Sequence, residues 1–187
     1  MQKLILSGLL FLCLQLNAQV LPLRQQATVI DEVLADRLNN LLPSLMEKNG
    51  IDMWVLITRE YNEDPIVKTM LPATWISARR RTILVFYYNP QTKTYKKLAV
   101  ARYSVGNEIK AAWDMKAHPN QWDALTAIVT QYQPKKIGIN TSVNFGHADG
   151  LDYTEYETFK QKLPASYQSK LVSSEPLAVA WLETRTE

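Results

Sequence analysis

Two short apolar runs most constrain the fold of this chain. Residues 53–57 (MWVLI) carry no polar side chain, and residues 82–88 (TILVFYY) are mostly β-branched and aromatic. An unbroken apolar run of strand length is typical of a strand covered on both faces of a sheet. Turn-forming residues 89–93 (NPQTK) follow the second run, so we expect residues 95–103 to return beside it as a β-hairpin.

Helical patterns alternate with these strands. Residues 19–28 are expected to be a loose lead-in, and a helical period begins at Val29. Its apolar positions share one face, at Ile30, Val33, Leu34, Leu38, Leu41, Leu45 and Met46. Pro43 predicts a kink or a fresh start in this helix, and Asn49 with Gly50 predicts its end.

The second half of the chain repeats the alternation. Pro119 is expected at the first position of a helix whose inner face is Trp122, Leu125, Val129 and Tyr132. Asp152 and Glu155 have the spacing of a capping box before a helix with the inner residues Tyr156, Phe159 and Leu163. Residues 136–140 and 170–172 read as strands, and a last helix starts at Glu175. The pattern predicts an α/β fold with a mixed β-sheet flanked by helices.

The amino terminus has the features of a signal peptide. Lys3 provides the positive charge, residues 4–16 are almost entirely apolar, and Ala18 before Gln19 suits cleavage. We therefore expect residues 1–18 to be removed and the protein to be exported, periplasmic or secreted. Removal would also eliminate Cys13, the only cysteine. The chain has 21 basic and 18 acidic residues, and this near balance of charge predicts no nucleic-acid partner. No membrane partner is expected after removal of the leader.

No residue is predicted to be catalytic or to bind a metal or cofactor in this chain. The most ligand-like group is His147, Asp149 and Asp152, whose imidazole and carboxylates suit a divalent ion. The favoured alternative is a loop in which Asp149 and Gly150 form a turn and Asp152 caps a helix. His118 is interpreted as a residue that leads into a helix.

Two charged segments remain open to interpretation. The run Arg79, Arg80 and Arg81 either grips an anion or forms a solvated rim, and the rim is the commoner outcome. Residues 59–65 (REYNEDP) follow a core strand, where binding loops of α/β proteins concentrate. Internal salt bridges and helix capping are the default explanation for this segment.

Several segments together resemble a known domain. They are residues 50–55 (GIDMWV), 59–65 (REYNEDP), 78–86 (ARRRTILVF), 148–151 (ADGL) and 181–186 (WLETRT). In order and spacing, they resemble the amino-terminal domain of exported bacterial Xaa-Pro aminopeptidase-like proteins. These belong to the creatinase/prolidase group of pita-bread metallopeptidases. The resemblance covers nearly the whole chain after the leader.

This resemblance implies a ribonuclease H-like domain over residues 29–174 without catalytic residues. Residues 175–187 would be a helix and connector toward a missing catalytic domain. There, two aspartates, one histidine and two glutamates would hold two divalent metal ions. An aromatic residue before the second strand helps line a neighbouring subunit's active site in the proline-peptidase relatives, and Trp75 lies in a comparable place. Core packing is the alternative for Trp75.

Two functions follow from the sequence. In the first, the chain assists substrate access and oligomerisation in an exported metallopeptidase, contacting peptide substrate only indirectly. Its partners would be a second copy or the following catalytic domain. The candidate substrate-access or interface residues are Trp75, Arg79, Arg80 and Arg81. In the second, the chain is a stand-alone periplasmic or secreted binding module with the same fold.

Overall fold

A computed structural model describes residues 20–186 of the chain. The predicted leader, with Ala18 and Gln19 at its cleavage site, lies outside the described residues. The elements are α1 (Leu23–Asp36), a π-helical turn (Arg37–Leu41), α2 (Leu42–Asn49), β1 (Met53–Arg59), α3 (Pro65–Lys68), β2 (Arg81–Asn89), β3 (Thr94–Ala99), β4 (Lys110–Ala111), α4 (Gln121–Tyr132), β5 (Ile137–Ile139), a 3-10 turn (Gly146–Ala148), α5 (Tyr153–Lys162), α6 (Ala165–Gln168), β6 (Leu171–Ser173) and α7 (Glu175–Glu183). No helix among residues 20–186 has the length and apolar character needed to span a membrane.

One mixed sheet of six strands organises the fold. Its strand order is β4-β3-β2-β1-β5-β6. Strands β1, β2 and β3 are antiparallel neighbours, whereas β5 is parallel to β1 and β6 is parallel to β5. The predicted α/β fold with a mixed sheet and flanking helices is confirmed at this level.

The central strand β1 is buried on both faces, as its apolar sequence predicts. Trp54 and Leu56 point into one hydrophobic core, and Met53, Val55 and Ile57 point into the other. The first core is completed by α2, α3 and α7, and the second by α4 and α5. Because successive side chains of a strand point to opposite faces, a single apolar run supplies both cores.

The first helix differs from the prediction at its beginning. It starts at Leu23 instead of Val29, with Pro22 as its N-cap. Ile30 and Val33 are 53% and 45% exposed, although their spacing places them on the apolar face. The core begins to cover this face at Leu34, which is partly buried against it, and Leu38 is the first residue of this face that is fully buried. Helical periodicity tells which residues share a face, but it does not tell where along the helix the neighbouring layer begins.

The backbone remains helical up to Pro43, and only its hydrogen-bond pattern changes there. A π-helical turn, Arg37–Leu41, ends just before α2, in whose first turn Pro43 lies. Proline has no N–H to donate to the carbonyl four residues earlier, and its ring needs room there, so a wider turn is favourable. Gly50 ends α2 with φ +63°, the left-handed conformation that glycine adopts without strain.

Two other boundaries were predicted wrongly. Strand β3 ends at Ala99 and does not reach Tyr103. Helix α4 begins at Gln121, and Asn120 is its N-cap, accepting a hydrogen bond from the Trp122 N–H at 2.9 Å. Pro119 therefore precedes the cap and is not the first helical residue. An asparagine side chain can satisfy a free N–H of the first turn, which makes Asn120 the better cap.

The last helix is tied to the first helical region by Arg37. Its guanidinium donates hydrogen bonds to the carbonyls of Trp181 and Thr184 and lies 4.3 Å from the centre of the Trp181 ring. These carbonyls lie at the end of α7, where four backbone acceptors lack partners within the helix. Arg37 thus anchors α7 against the rest of the domain.

Candidate functional site

An open groove at one end of the sheet is lined by five arginines. Its volume is about 640 Å³. We call it the arginine groove, and its lining includes Arg59, Arg79, Arg80, Arg81, Arg102, Glu60, Glu155, Gln121, Tyr61, Tyr103 and Trp113. Such a volume falls in the range of small-molecule sites.

The antiparallel strands bring these arginines together. Arg59 ends β1 and lies opposite Arg81, which begins β2. Strand β3 runs back along β2 and ends at Ala99, opposite Leu84, so Arg102 follows at the same edge. The end of β1, the start of β2 and the end of β3 therefore meet at one place.

Two of the arginines are engaged by the carboxylate of Glu155, which is only 3% exposed. Arg81 Nε lies 2.7 Å from Glu155 Oε2, and Arg81 Nη2 donates a better-aligned hydrogen bond to Oε1 at 3.0 Å. The Arg81 guanidinium also lies 4.9 Å from the Trp122 ring centre. Arg59 Nε is farther from Glu155 Oε1, at 3.7 Å. These contacts hold α5 against the sheet.

The predicted capping box is present only in half. Asp152 caps α5, because its Oδ1 accepts a hydrogen bond from the Glu155 N–H at 2.9 Å. The Glu155 side chain turns toward the arginines and does not complete the box. A buried carboxylate needs a countercharge, and the guanidinium of Arg81 meets this need better than a backbone N–H.

Strained backbone supports the rim of the groove. Tyr61 and Arg80 have φ +69° and +49°, a region that non-glycine residues seldom occupy. Glu60 holds this rim together: its N–H donates to the Arg80 carbonyl at 2.6 Å, and its Oε2 accepts from the Arg80 N–H at 3.0 Å. Strain of this kind clusters at functional sites.

Three arginines of the groove remain without a carboxylate partner. Among residues 20–186, no Asp or Glu oxygen lies within 4.0 Å of the charged nitrogens of Arg79, Arg80 or Arg102. Arg79 and Arg80 are exposed, as is Arg102. The Tyr103 hydroxyl donates to the Arg79 carbonyl at 2.8 Å, which fixes the backbone behind these side chains.

Trp75 lies next to the groove but does not line it. The ring is half-buried, packs against one hydrophobic core and has its centre 5.9 Å from that of Tyr103. Trp75 also lines a second cavity of about 510 Å³ beside α1, together with Asp31, Glu32 and Glu108. Of the four predicted access residues, the structure thus groups the three arginines in the groove and places Trp75 behind Tyr103, which lines it.

The histidines of the chain lie elsewhere. His147 is exposed, Asp149 Oδ1 accepts a hydrogen bond from the Ser142 N–H at 3.0 Å, and Asp152 caps α5. These contacts agree with the loop interpretation of this segment. His118 precedes α4, and its carbonyl accepts a hydrogen bond from Trp113 Nε1 at 2.7 Å. Within residues 20–186, no three His, Cys, Asp or Glu side chains are grouped so as to hold a metal ion.

A buried polar network at the same end of the sheet was not predicted. Trp54 Nε1 donates to Asn140 Oδ1 at 3.0 Å and to Ser174 Oγ at 2.9 Å, and Asn140 Nδ2 donates to the Asp64 carboxylate at 2.9 and 3.1 Å. Burial raises the pKa of Asp64, while hydrogen bonds from Asn140 and from backbone N–H groups oppose this. We call these four residues the buried polar network.

Sequence signals existed for part of what was missed. Asp64 stands directly before Pro65, and an acidic residue followed by proline is a common helix start; its Oδ1 accepts from the Ile66 and Val67 N–H groups. Arg102 lies within the predicted returning strand, residues 95–103, so the register of that hairpin places it near Arg81. For Asn140 and Ser174 we find no signal, because their meeting depends on strands that are remote in sequence.

Comparisons of the chain with protein-family models, with curated proteins and with solved structures find no match.

Proposed function

We propose that this chain is a non-catalytic domain of an exported Xaa-Pro aminopeptidase-like metallopeptidase, where it assists substrate access and oligomerisation. The observation that supports the proposal is the position of the predicted access residues. Arg79, Arg80 and Arg81 line one open groove, and Trp75 packs against Tyr103 in the groove wall. A cleft with convergent polar groups on a rigid framework suits the guidance of a substrate.

The narrower fold description belongs to the same proposal. Three antiparallel strands in sequence, followed by helix-connected parallel strands on the other side of β1, are compatible with a ribonuclease H-like domain. Export rests on the leader sequence, with cleavage between Ala18 and Gln19. The two divalent metal ions would belong to a separate catalytic domain of such a metallopeptidase.

Kinetics of the complete gene product test this function. We expect hydrolysis of Xaa-Pro peptides that is lost with a chelator and restored by a divalent metal ion. The Trp75→Ala and Arg80→Gln variants should raise KM with little change in kcat or metal content, because they act on substrate access. Arg24→Gln, an exposed arginine of α1 outside the groove, is the matched control.

Two outcomes would contradict the proposal. One is metal-dependent cleavage by residues 19–187 alone. The other is a complete gene product without any metal-dependent action on Xaa-Pro peptides.

A stand-alone binding module is the second candidate. It is supported by Arg79, Arg80 and Arg102, whose charges have no carboxylate partner among residues 20–186. Intact mass of the exported protein separates the candidates. A mature product that ends at Glu187 favours the binding module, whereas a longer product that contains a catalytic domain favours the peptidase. The same spectrum shows whether residues 1–18 are removed.

A further inference from the structure

We propose that the arginine groove binds a small multivalent anion, whose carboxylate or phosphate groups contact Arg79, Arg80 and Arg102. This inference uses only the groove of the chain itself. It does not depend on the peptidase assignment, and it applies equally to a binding module.

The charges of the groove are out of balance. Five guanidinium groups face two carboxylates, and both carboxylates are already engaged. Glu155 is paired with Arg81, and Glu60 accepts a hydrogen bond from the Arg80 backbone. Arg59 lies 3.7 Å from Asp152 Oδ2 and 3.7 Å from Glu155 Oε1, so Arg79, Arg80 and Arg102 are the groove arginines left without a carboxylate partner among residues 20–186. Their like charges line one groove, and an anion bound there is attracted to all three.

The residue type points to recognition of oxygen anions. The sequence has eight arginines and thirteen lysines, and five of the arginines line the groove, whereas no lysine of the described chain does. A surface that needs only charge and solubility is served equally well by lysine. Guanidinium differs because its planar N–H donors match the oxygens of a carboxylate or phosphate in pairs.

The groove is also preorganised. Arg81 is fixed by Glu155 and by the Trp122 ring, and the Arg80 backbone is fixed by Glu60. The strained φ of Arg80 is thus maintained by contacts that do not use its side chain. A site whose framework is rigid before binding loses less conformational entropy when the ligand arrives.

The dimensions of the groove limit the size of the ligand. Tyr61, Tyr103 and Trp113 line the groove, and the Arg102 guanidinium lies 5.7 Å from the Trp113 ring centre. The volume of about 640 Å³ suits a compact molecule or a short peptide segment, not a folded protein surface.

Calorimetric titration of the purified chain tests the proposal. The probes are tripolyphosphate, citrate and a triglutamate peptide, each at low and at moderate salt. We expect saturable binding of at least one probe, with one site per chain and an affinity that falls as salt rises. The probe that binds identifies the source of the anion: phosphate, small polycarboxylate or acidic peptide.

Variants locate the binding site. Arg80→Gln and Arg102→Gln should each weaken the binding by about tenfold, the usual effect of losing a hydrogen bond between charged groups. Arg24→Gln removes the same charge from α1 and should change the affinity by less than about twofold, an effect of long-range charge alone. Circular dichroism and thermal unfolding verify that each variant is folded.

The proposal is overturned if no probe binds at millimolar concentration. It is equally overturned if Arg24→Gln weakens binding as much as the groove variants do, because the attraction would then come from net charge. Peptidase kinetics play no part in these measurements, so a failed peptidase assignment and a failed anion site give different results.

Discussion

The buried polar network and the arginine groove lie at the same end of the sheet, but their polar groups are satisfied in opposite ways. In the network, Trp54, Asp64, Asn140 and Ser174 are buried and bond to one another. In the groove, Arg79, Arg80 and Arg102 face solvent without a carboxylate partner in the described chain. The network joins the ends of strands, whereas the groove offers guanidinium groups that are available to bind a ligand.

This difference separates structural from functional charge. A buried polar group without a partner destabilises the fold, so the network is closed. An exposed guanidinium remains hydrated without a partner, so unpaired arginines persist at low cost in stability. Arg81 belongs to the structural class, although it stands next to Arg80 in the sequence.

The largest loss of stability is expected for a substitution at Gly150, which lies against Asp64 of the buried polar network. An ideal Cβ at Gly150 would fall deep within van der Waals contact of the Asp64 carboxylate and 2.7 Å from Pro65 Cδ. We expect Gly150→Ala to lower the free energy of unfolding by about 3 kcal/mol, because Asp64 must move and lose its partners. Gly146→Ala is the matched control, since its Cβ would meet nothing within 4 Å. Urea denaturation measures the free energy of unfolding of both variants. Equal values would contradict the prediction, because the loop around Gly150 would then adjust to the added methyl group without cost.

A smaller loss of stability should distinguish Arg81 from its neighbour Arg80. Arg81→Gln leaves the buried Glu155 carboxylate without its main countercharge, and we expect a loss of about 2 kcal/mol. Arg80→Gln should change the free energy of unfolding by less than about 0.5 kcal/mol. Adding Glu155→Gln to Arg81→Gln should recover part of the loss, because the buried charge is then absent. Similar losses of stability from Arg80→Gln and Arg81→Gln would contradict the distinction between a structural Arg81 and a solvent-facing Arg80.

Stability should depend on pH through Asp64. Burial raises the pKa of this carboxyl above its ordinary value of 3.8, so the folded protein holds the proton to a higher pH than the unfolded chain does. The resulting stabilisation is complete below the ordinary value and is lost as pH rises through the folded-state pKa. The stability advantage over Asp64→Asn should therefore shrink with rising pH. Carbon NMR of the Asp64 carboxyl checks the direction, and a titration below the ordinary value would contradict it.

The smallest effect concerns the strained rim. Tyr61 is 92% exposed and has φ +69°, so its side chain contributes little to packing while its backbone is strained. Tyr61→Gly relieves that strain but adds chain entropy to the unfolded state, and we expect a net change within about 0.5 kcal/mol. Tyr61→Val should destabilise by about 1 kcal/mol, since a β-branched residue fits this conformation poorly. Thermal unfolding compares the three proteins, and a destabilised glycine variant would mean that the ring has a structural role.

Sequence patterns predicted secondary-structure elements better than they predicted which residues of those elements are buried or paired. The five consecutive apolar residues of β1 point alternately to the two faces of the sheet. Both faces had to be covered, because either one left in water would expose apolar side chains. The same logic misplaced Ile30 and Val33, which share the apolar face of α1 but lie beyond the part that the core covers. The arginine run was recognised, but sequence patterns did not show that Arg81 pairs with Glu155 while Arg79 and Arg80 have no carboxylate partner among residues 20–186.

By itself, the sequence determined the α/β class, the order of the main strands and helices without the short strand β4, and the candidate arginines, because these depend on local periodicity and composition. Only the tertiary structure decided that Glu155 meets Arg59 and Arg81 and that Asn140 reaches both Trp54 and Asp64. Such contacts join residues remote in the chain. Their partners are chosen by sheet register and layer packing, which no local pattern of residues records.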